Sequence, residues 1–178
     1  TFWATDAATN EQTTAQTVAL RFDSLAPTAP SGITVQPATW TSTNSFTVSW
    51  TNPVDYSGIA SAYYKRGSAP TAGTDGTKYT LPAFGETSIA GIALTQQGET
   101  PLYLWLKDQA GNVDHTSAVS TTLRWDGTAP STQIQATGTL RNGYYITPLT
   151  VRFTSSDAAS GVVETRYRIN GGAEQIWS

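Results

Sequence analysis

The chain has 178 residues, 38% of them hydrophobic and 13% charged, with no cysteine, no methionine and a net charge of −3. A thiol-free chain is neither a disulfide scaffold nor a Cys-ligated zinc protein, and without a basic cluster it lacks the positive stripe that a nucleic-acid surface needs. No run of about 18 apolar residues occurs, so nothing reads as a membrane-spanning helix.

Taken in chain order, the first 25 residues repeat the last quarter of the unit that follows. Residues 3–10 read Trp-Ala-Thr-Asp-Ala-Ala-Thr-Asn, and Trp3, Asp6, Ala8 and Asn10 return as Trp105, Asp108, Ala110 and Asn112. After one inserted residue, Arg21-Phe22-Asp23 returns as Arg124-Trp125-Asp126, and Ala26-Pro27 as Ala129-Pro130. A period near 100 residues is too long for a solenoid unit, which runs to about 50, and has the length of a small domain.

The following residues alternate with period two. Phe46, Val48 and Trp50 interleave with Thr47, Ser49 and Thr51, and Leu102, Leu104 and Leu106 interleave with Tyr103, Trp105 and Lys107. Alternation of this kind predicts strands with one inward face. It sets the leucines inward and Trp105 outward. Further strands are expected over 31–37, 59–66, 77–80, 86–92 and 117–125. Turn signals separate them at Asn52-Pro53, Asp55-Tyr56-Ser57-Gly58, Thr74-Asp75-Gly76, Gln97-Gly98 and Ala110-Gly111-Asn112. No segment carries a 3.6-residue period. About seven short strands in 100 residues predict an all-β, two-sheet antiparallel sandwich.

Past the linker, Thr47-Val48-Ser49-Trp50-Thr51 returns as Thr150-Val151-Arg152-Phe153-Thr154, Ser57-Gly58-Ile59 as Ser160-Gly161-Val162, and Tyr64-Lys65 as Tyr167-Arg168. The expected organisation is therefore three units. Residues 1–25 are the C-terminal strands of a preceding domain, 26–126 a complete domain, and 127–178 the N-terminal half of a following one. The chain reads as an excerpt of a longer precursor.

Ala-Pro-Thr-Ala-Pro at 26–30, Phe-Thr-Val-Ser-Trp at 46–50, Asp-Tyr-Ser-Gly-Ile at 55–59, Tyr63-Tyr64 and Leu-Trp-Leu-Lys-Asp-Gln-Ala-Gly-Asn at 104–112 resemble fibronectin type III and bacterial immunoglobulin-like domains of surface and secreted proteins. The resemblance implies tandem Ig-like sandwiches that serve as spacers, stalks, filaments or adhesive units, on a bacterial surface or outside the cell. Its implied partners are adjacent Ig-like domains or further copies of the chain, and glycans in an adhesive or hydrolase-associated role. The Pro-containing joints at 25–30 and 127–130 suit a semi-rigid rod, because proline fixes φ and favours extended geometry. The chain departs from the type III pattern at the tyrosine corner: Leu94 and Tyr103 are too far apart to form it, and Thr100 occupies the corner position.

The residues argue against an enzyme. His115 is the single histidine and follows a polar turn, and no nucleophile-elbow, zincin or phosphate-loop motif occurs. Lys65, Lys78 and Lys107 are the only lysines available for an isopeptide bond of the kind some similar surface domains form. In an Ig-type sandwich, the loop after the second strand and the loop before the last lie at the end where the chain enters. Asp55, Asp108 and Asn112 would then be neighbours, with Asp23 arriving from the preceding unit, and Asp126 would stand likewise near Asp157. Oxygen donors gathered at one point suit Ca²⁺, although Asp and Asn before Gly also make self-capping turns. Trp3 and Trp105, with Tyr63 and Tyr103, form the candidate aromatic platform for a glycan. The alternative for these rings is sheet cover through cross-strand aromatic pairs. Residues 1–22 and 131–178 carry different strands of one unit, so the tail of one molecule could be completed by the head of another through strand addition.

Overall fold

The computed structural model describes residues 1–81 and 85–177. The described residues are all-β apart from one short 3-10 turn at His115–Ser117, with no α-helix among them. In chain order the strands of the central region are β1 (Ser31–Gln36), β2 (Phe46–Thr51), β3 (Ile59–Arg66), β4 (Thr77–Thr80), β5 (Ser88–Ile92), β6 (Gly98–Asp108) and β7 (Val119–Trp125). They form two antiparallel sheets, one ordered β1-β2-β5 and the other β4-β3-β6-β7.

The period-two pattern explains the packing. Phe46, Val48 and Trp50 on β2 point into a core shared with Val35, Ile89 and Ile92 of the same sheet and with Ile59, Ala62, Leu102, Leu104, Leu106 and Leu123 of the other. Each such side chain contributes about 1.5–3 kcal/mol on full burial, so the two apolar faces drive the sheets together. β6 begins four residues before the expected leucine alternation. Pro101 lies inside it, opposite Thr122 of β7, but its other side is past the end of β3, whose pairing stops at Arg66–Leu102. A proline with no strand on that side forfeits no ladder bond, and its carbonyl accepts from Gly67 N at 2.8 Å.

One expectation fails on β6. Trp105 lies on the outer face, opposite the leucines, but is not an exposed ring: it is 0% exposed. It stacks on Tyr63 at 5.6 Å between centroids, and its indole N–H donates to the Gly73 carbonyl at 2.7 Å. The loop between β3 and β4 folds over the outer sheet face and roofs it. Glycine permits that close approach, since a Cβ on Gly76 would stand 2.6 Å from the indole and 2.7 Å from the Tyr64 carbonyl oxygen. β6 is therefore buried on both faces at Leu104, Trp105 and Leu106.

Two smaller regions flank this sandwich. Residues 1–22 form a loose hairpin held by antiparallel bridges Phe2–Gln16 and Thr5–Glu11. After residue 130 come β8 (Ser131–Thr137), β9 (Leu140–Arg141), β10 (Tyr144–Tyr145), β11 (Thr150–Ser156), β12 (Thr165–Tyr167) and β13 (Gln175–Trp177). They pair as β8-β11, β9-β10 and β12-β13. Phe153, Tyr167 and Trp177 cluster with centroids 5.1–6.5 Å apart, yet Ile134, Leu149, Ile169 and Ile176 stay exposed.

Candidate functional site

The polar chemistry concentrates where one region hands over to the next. At the first junction Asp23, Asp55 and Asp108 come together, with a carboxylate oxygen of each within 4.8 Å of the others. Each is placed by its own turn. Asp55 Oδ1 accepts from Ser57 N, Ser57 Oγ and Gly58 N at 2.9–3.2 Å, the self-capping expected of Asp before Ser-Gly. Asp108 ends β6 and is 1% exposed. Its Oδ1 accepts from Gly111 N and Asn112 N, both at 2.7 Å, and its Oδ2 from Asn112 Nδ2 at 2.7 Å.

The incoming chain is tied to these loops by three hydrogen bonds. Asp23 Oδ2 accepts from Ser57 N at 3.1 Å. Asn112 Nδ2 donates to the carbonyls of Asp23 and Leu25 at 3.1 and 3.3 Å. The Ser57 hydroxyl, followed by Leu25 N, holds the Asp23 carboxyl below its ordinary pKa.

The second junction repeats the first. Asp126 Oδ2 accepts from Ser160 N at 2.9 Å and Ser160 Oγ at 2.6 Å, and its Oδ1 accepts from Thr128 N at 3.0 Å as Asp23 Oδ1 does from Leu25 N at 3.1 Å. The Ser160 hydroxyl is the main reason its pKa lies below the ordinary value; the carboxyl of Asp157 interacts with it as well. Asp157 Oδ1 caps the same kind of turn through Ala159 N and Gly161 N.

The turn that contributes Asp108 also recurs, in the N-terminal hairpin. Asp6 Oδ1 accepts from Ala8 N and Asn10 N, and Asp6 Oδ2 from Asn10 Nδ2, at 2.8–2.9 Å. The side chain of Asn10 is the main cause that lowers the Asp6 pKa. Thr9 takes φ +70°, where its counterpart Gly111 takes +102°. The bridge Thr5–Glu11 corresponds to Lys107–Val113.

The structure thus brings Asp23, Asp55, Asp108 and Asn112 to one point and Asp126 and Asp157 to another. It does not assemble the aromatic set: Trp105 is roofed over and stacked on buried Tyr63, Tyr103 lies half-buried on β6, and Trp3 is 61% exposed on the separate hairpin. The first cluster offers only carboxylate, amide and carbonyl oxygen, donors that suit a hard cation such as Ca²⁺ rather than a soft one. Most of those oxygens already accept N–H or O–H bonds. Sequence reasoning missed Ser57 and Ser160 as the groups that receive the linker carboxylates. Their recurrence before Gly58 and Gly161 was the available signal. It also missed Asn44, which binds both Leu94 N, at 2.7 Å, and Leu94 O, at 2.8 Å.

Against known proteins, no family model, no curated protein and no solved structure matches the chain.

Proposed function

We propose that this chain is a non-catalytic structural module of an extracellular, bacterial-surface repeat protein, built of tandem Ig-like sandwiches of the fibronectin type III kind and forming a stalk or filament with an adhesive role. The observation that carries the reading is the repeated junction latch. Asp23–Ser57 and Asp126–Ser160 tie the end of one unit to the corresponding loop of the next through the same bond, from the serine N–H to the aspartate Oδ2. The strand order adds support. β4 lies beside β3 rather than beside β5, whereas in a constant-type immunoglobulin sheet the fourth strand would extend the first sheet.

Small-angle scattering on the chain and on a D23A/D126A variant tests this. A latched rod has a narrow distance distribution that broadens and shortens in the variant. An unchanged profile would remove the latch from the argument.

A second reading, a calcium-stiffened joint, draws on the three carboxylates gathered within 4.8 Å. Neutralising three clustered negative charges stabilises the fold, and a ligand at 100 times its Kd contributes about 2.7 kcal/mol. Thermal unfolding in EDTA and in millimolar CaCl₂ separates the two. A melting point raised by calcium and not by magnesium favours the ion; coincident curves leave the hydrogen-bonded latch alone. The reading of the chain as a glycan-binding accessory module loses its platform in the central unit, because Trp105 has no exposed face.

A further inference from the structure

We propose that residues 67–76 are a lid, which opens over the stacked Tyr63–Trp105 pair while the sandwich beneath it stays folded. The segment lies wholly inside the central sandwich, so its behaviour is independent of how one unit joins the next.

The lid joins β3 to β4 and reads Gly-Ser-Ala-Pro-Thr-Ala-Gly-Thr-Asp-Gly. It carries no aromatic and no large aliphatic side chain, and none of its residues is buried. Trp105 beneath it is nonetheless 0% exposed. The cover is therefore backbone. The Gly73 carbonyl accepts the indole N–H at 2.7 Å, and a Cβ on Gly76 would stand 2.6 Å from the ring. Gly73 also lies against Val113, whose Cγ1 would be 2.8 Å from an added Cβ. A segment that sets no side chain into the core forfeits little apolar burial of its own when it lifts. Regions of that kind open at free energies well below that of global unfolding. Lifting does bare one face of the indole, so the closed form is the ground state and the open form a minor one.

The attachments of the lid are polar. Among the described residues, two side chains of the sheet hydrogen-bond to it. One is the Trp105 indole. The other is Lys65, whose Nζ donates to Asp75 Oδ2 at 2.8 Å and to the Ala69 carbonyl at 3.3 Å. The Lys65 and Asp75 side chains are 24% and 31% exposed, and ion pairs that solvent reaches are weak. The remaining bonds lie within the lid. Asp75 Oδ2 accepts from Thr71 N and Thr71 Oγ1, both at 2.8 Å. Asp75 N donates to Ala72 O and Gly76 N to Thr74 O, each at 3.0 Å. These braces hold the lid in its closed shape, so reclosing requires little ordering of the chain.

Both ends of the lid are glycine. Gly67 takes φ +86°, and a Cβ there would meet nothing within 4 Å. Its N–H donates to the Pro101 carbonyl at 2.8 Å, which anchors that end to β6. Gly76 immediately precedes Thr77, where the pairing of β4 with Tyr64 begins. Both pivots thus sit at the ends of paired strands, where hinges that absorb a φ/ψ change are found. The lid decides what the outer face of β3 and β6 presents: small polar residues when closed, a stacked aromatic pair when open. Motions of this class run from microseconds to seconds.

Hydrogen exchange of the Trp105 indole N–H, read by NMR in rising urea below the unfolding transition, tests the lid. Its resonance is the one missing from the spectrum of Trp105→Phe. The expected protection is at least about hundredfold lower than that of the slowest amides of β2 and β6, and flat in urea because opening exposes little surface. Ile89→Val, in the core of the other sheet, should lower the protection of those slow amides about three- to tenfold and leave the indole unchanged. Lys65→Met should speed indole exchange about two- to fivefold, the weight of a part-exposed ion pair. An indole as protected as the slowest amides, with the same urea slope, overturns the proposal, as does an indole that follows them in Ile89→Val. An indole rate unmoved by Lys65→Met assigns the opening to another segment and overturns it too.

Discussion

Trp105 offers the sharpest perturbation, because two readings of the molecule diverge on it. As a glycan platform its removal would abolish binding and leave the fold intact. As found, it is fully buried, stacked on Tyr63 and bonded to the Gly73 carbonyl. Truncating a buried aromatic to alanine costs about 3–5 kcal/mol, and the deserted Gly73 carbonyl belongs to the loop that roofs the ring. Trp105→Ala should therefore lose about 3–5 kcal/mol in urea unfolding followed by far-UV circular dichroism, which for a domain near 100 residues lowers Tm by at least about 12 °C. Trp105→Phe keeps an aromatic ring over Tyr63 and forfeits the N–H bond, so its loss should be smaller, about 1–2 kcal/mol. A Trp105→Leu/Tyr63→Leu cycle should return a coupling of about 0.5–1.5 kcal/mol. A loss below about 1 kcal/mol for the alanine variant, under any normal range for a filled core site, would refute the roofed-ring argument.

Three other outcomes follow from the geometry. Asp108→Ala deserts two backbone N–H groups and the Asn112 amide, and should destabilise by about 2–5 kcal/mol, whereas Asp108→Asn keeps the Oδ1 bonds and opposes only two amide groups, about 1–2 kcal/mol; urea midpoints of the pair rank them. The Lys65 ammonium at 2.8 Å, with Thr71, brings Asp75 down to a pKa of about 2 from an ordinary 3.8. A depressed folded pKa contributes stability above the unfolded value that is lost as pH falls through the folded one, so acid unfolding should steepen between about pH 4 and 2, and Asp75→Asn should flatten that limb. Asn44→Ala removes both bonds to the Leu94 backbone and should cost about 1–3 kcal/mol by the same assay, with protection of the Leu94 amide lost in hydrogen exchange.

Much of the architecture was legible in the residues. Period-two alternation located the strands because one sheet face must be apolar and the other need not be, and Phe46-Thr47-Val48-Ser49-Trp50 leaves no other choice of inward face. The internal repeat likewise singled out Asp23 and Asp126 as counterparts. The register of β6 was less legible, since Pro101 reads as a strand breaker until β3 is known to stop short of it.

Trp105 could not be placed from the chain alone. Alternation set it on the outer face, and it does lie there; that the face is covered depends on Gly73 and Gly76, some 30 residues earlier, folding a loop across it. The same limit applied to Ser57 and Asn44, whose partners are 34 and 50 residues away. Local pattern determined the all-β character, the inward faces and the turns, because those follow from the period of the backbone and the capping chemistry of single residues. Only the tertiary structure decided which outer face is roofed, which carboxylates share a point and which apolar surfaces remain open. Those depend on where distant segments of the chain pack, and no periodicity within a segment encodes that.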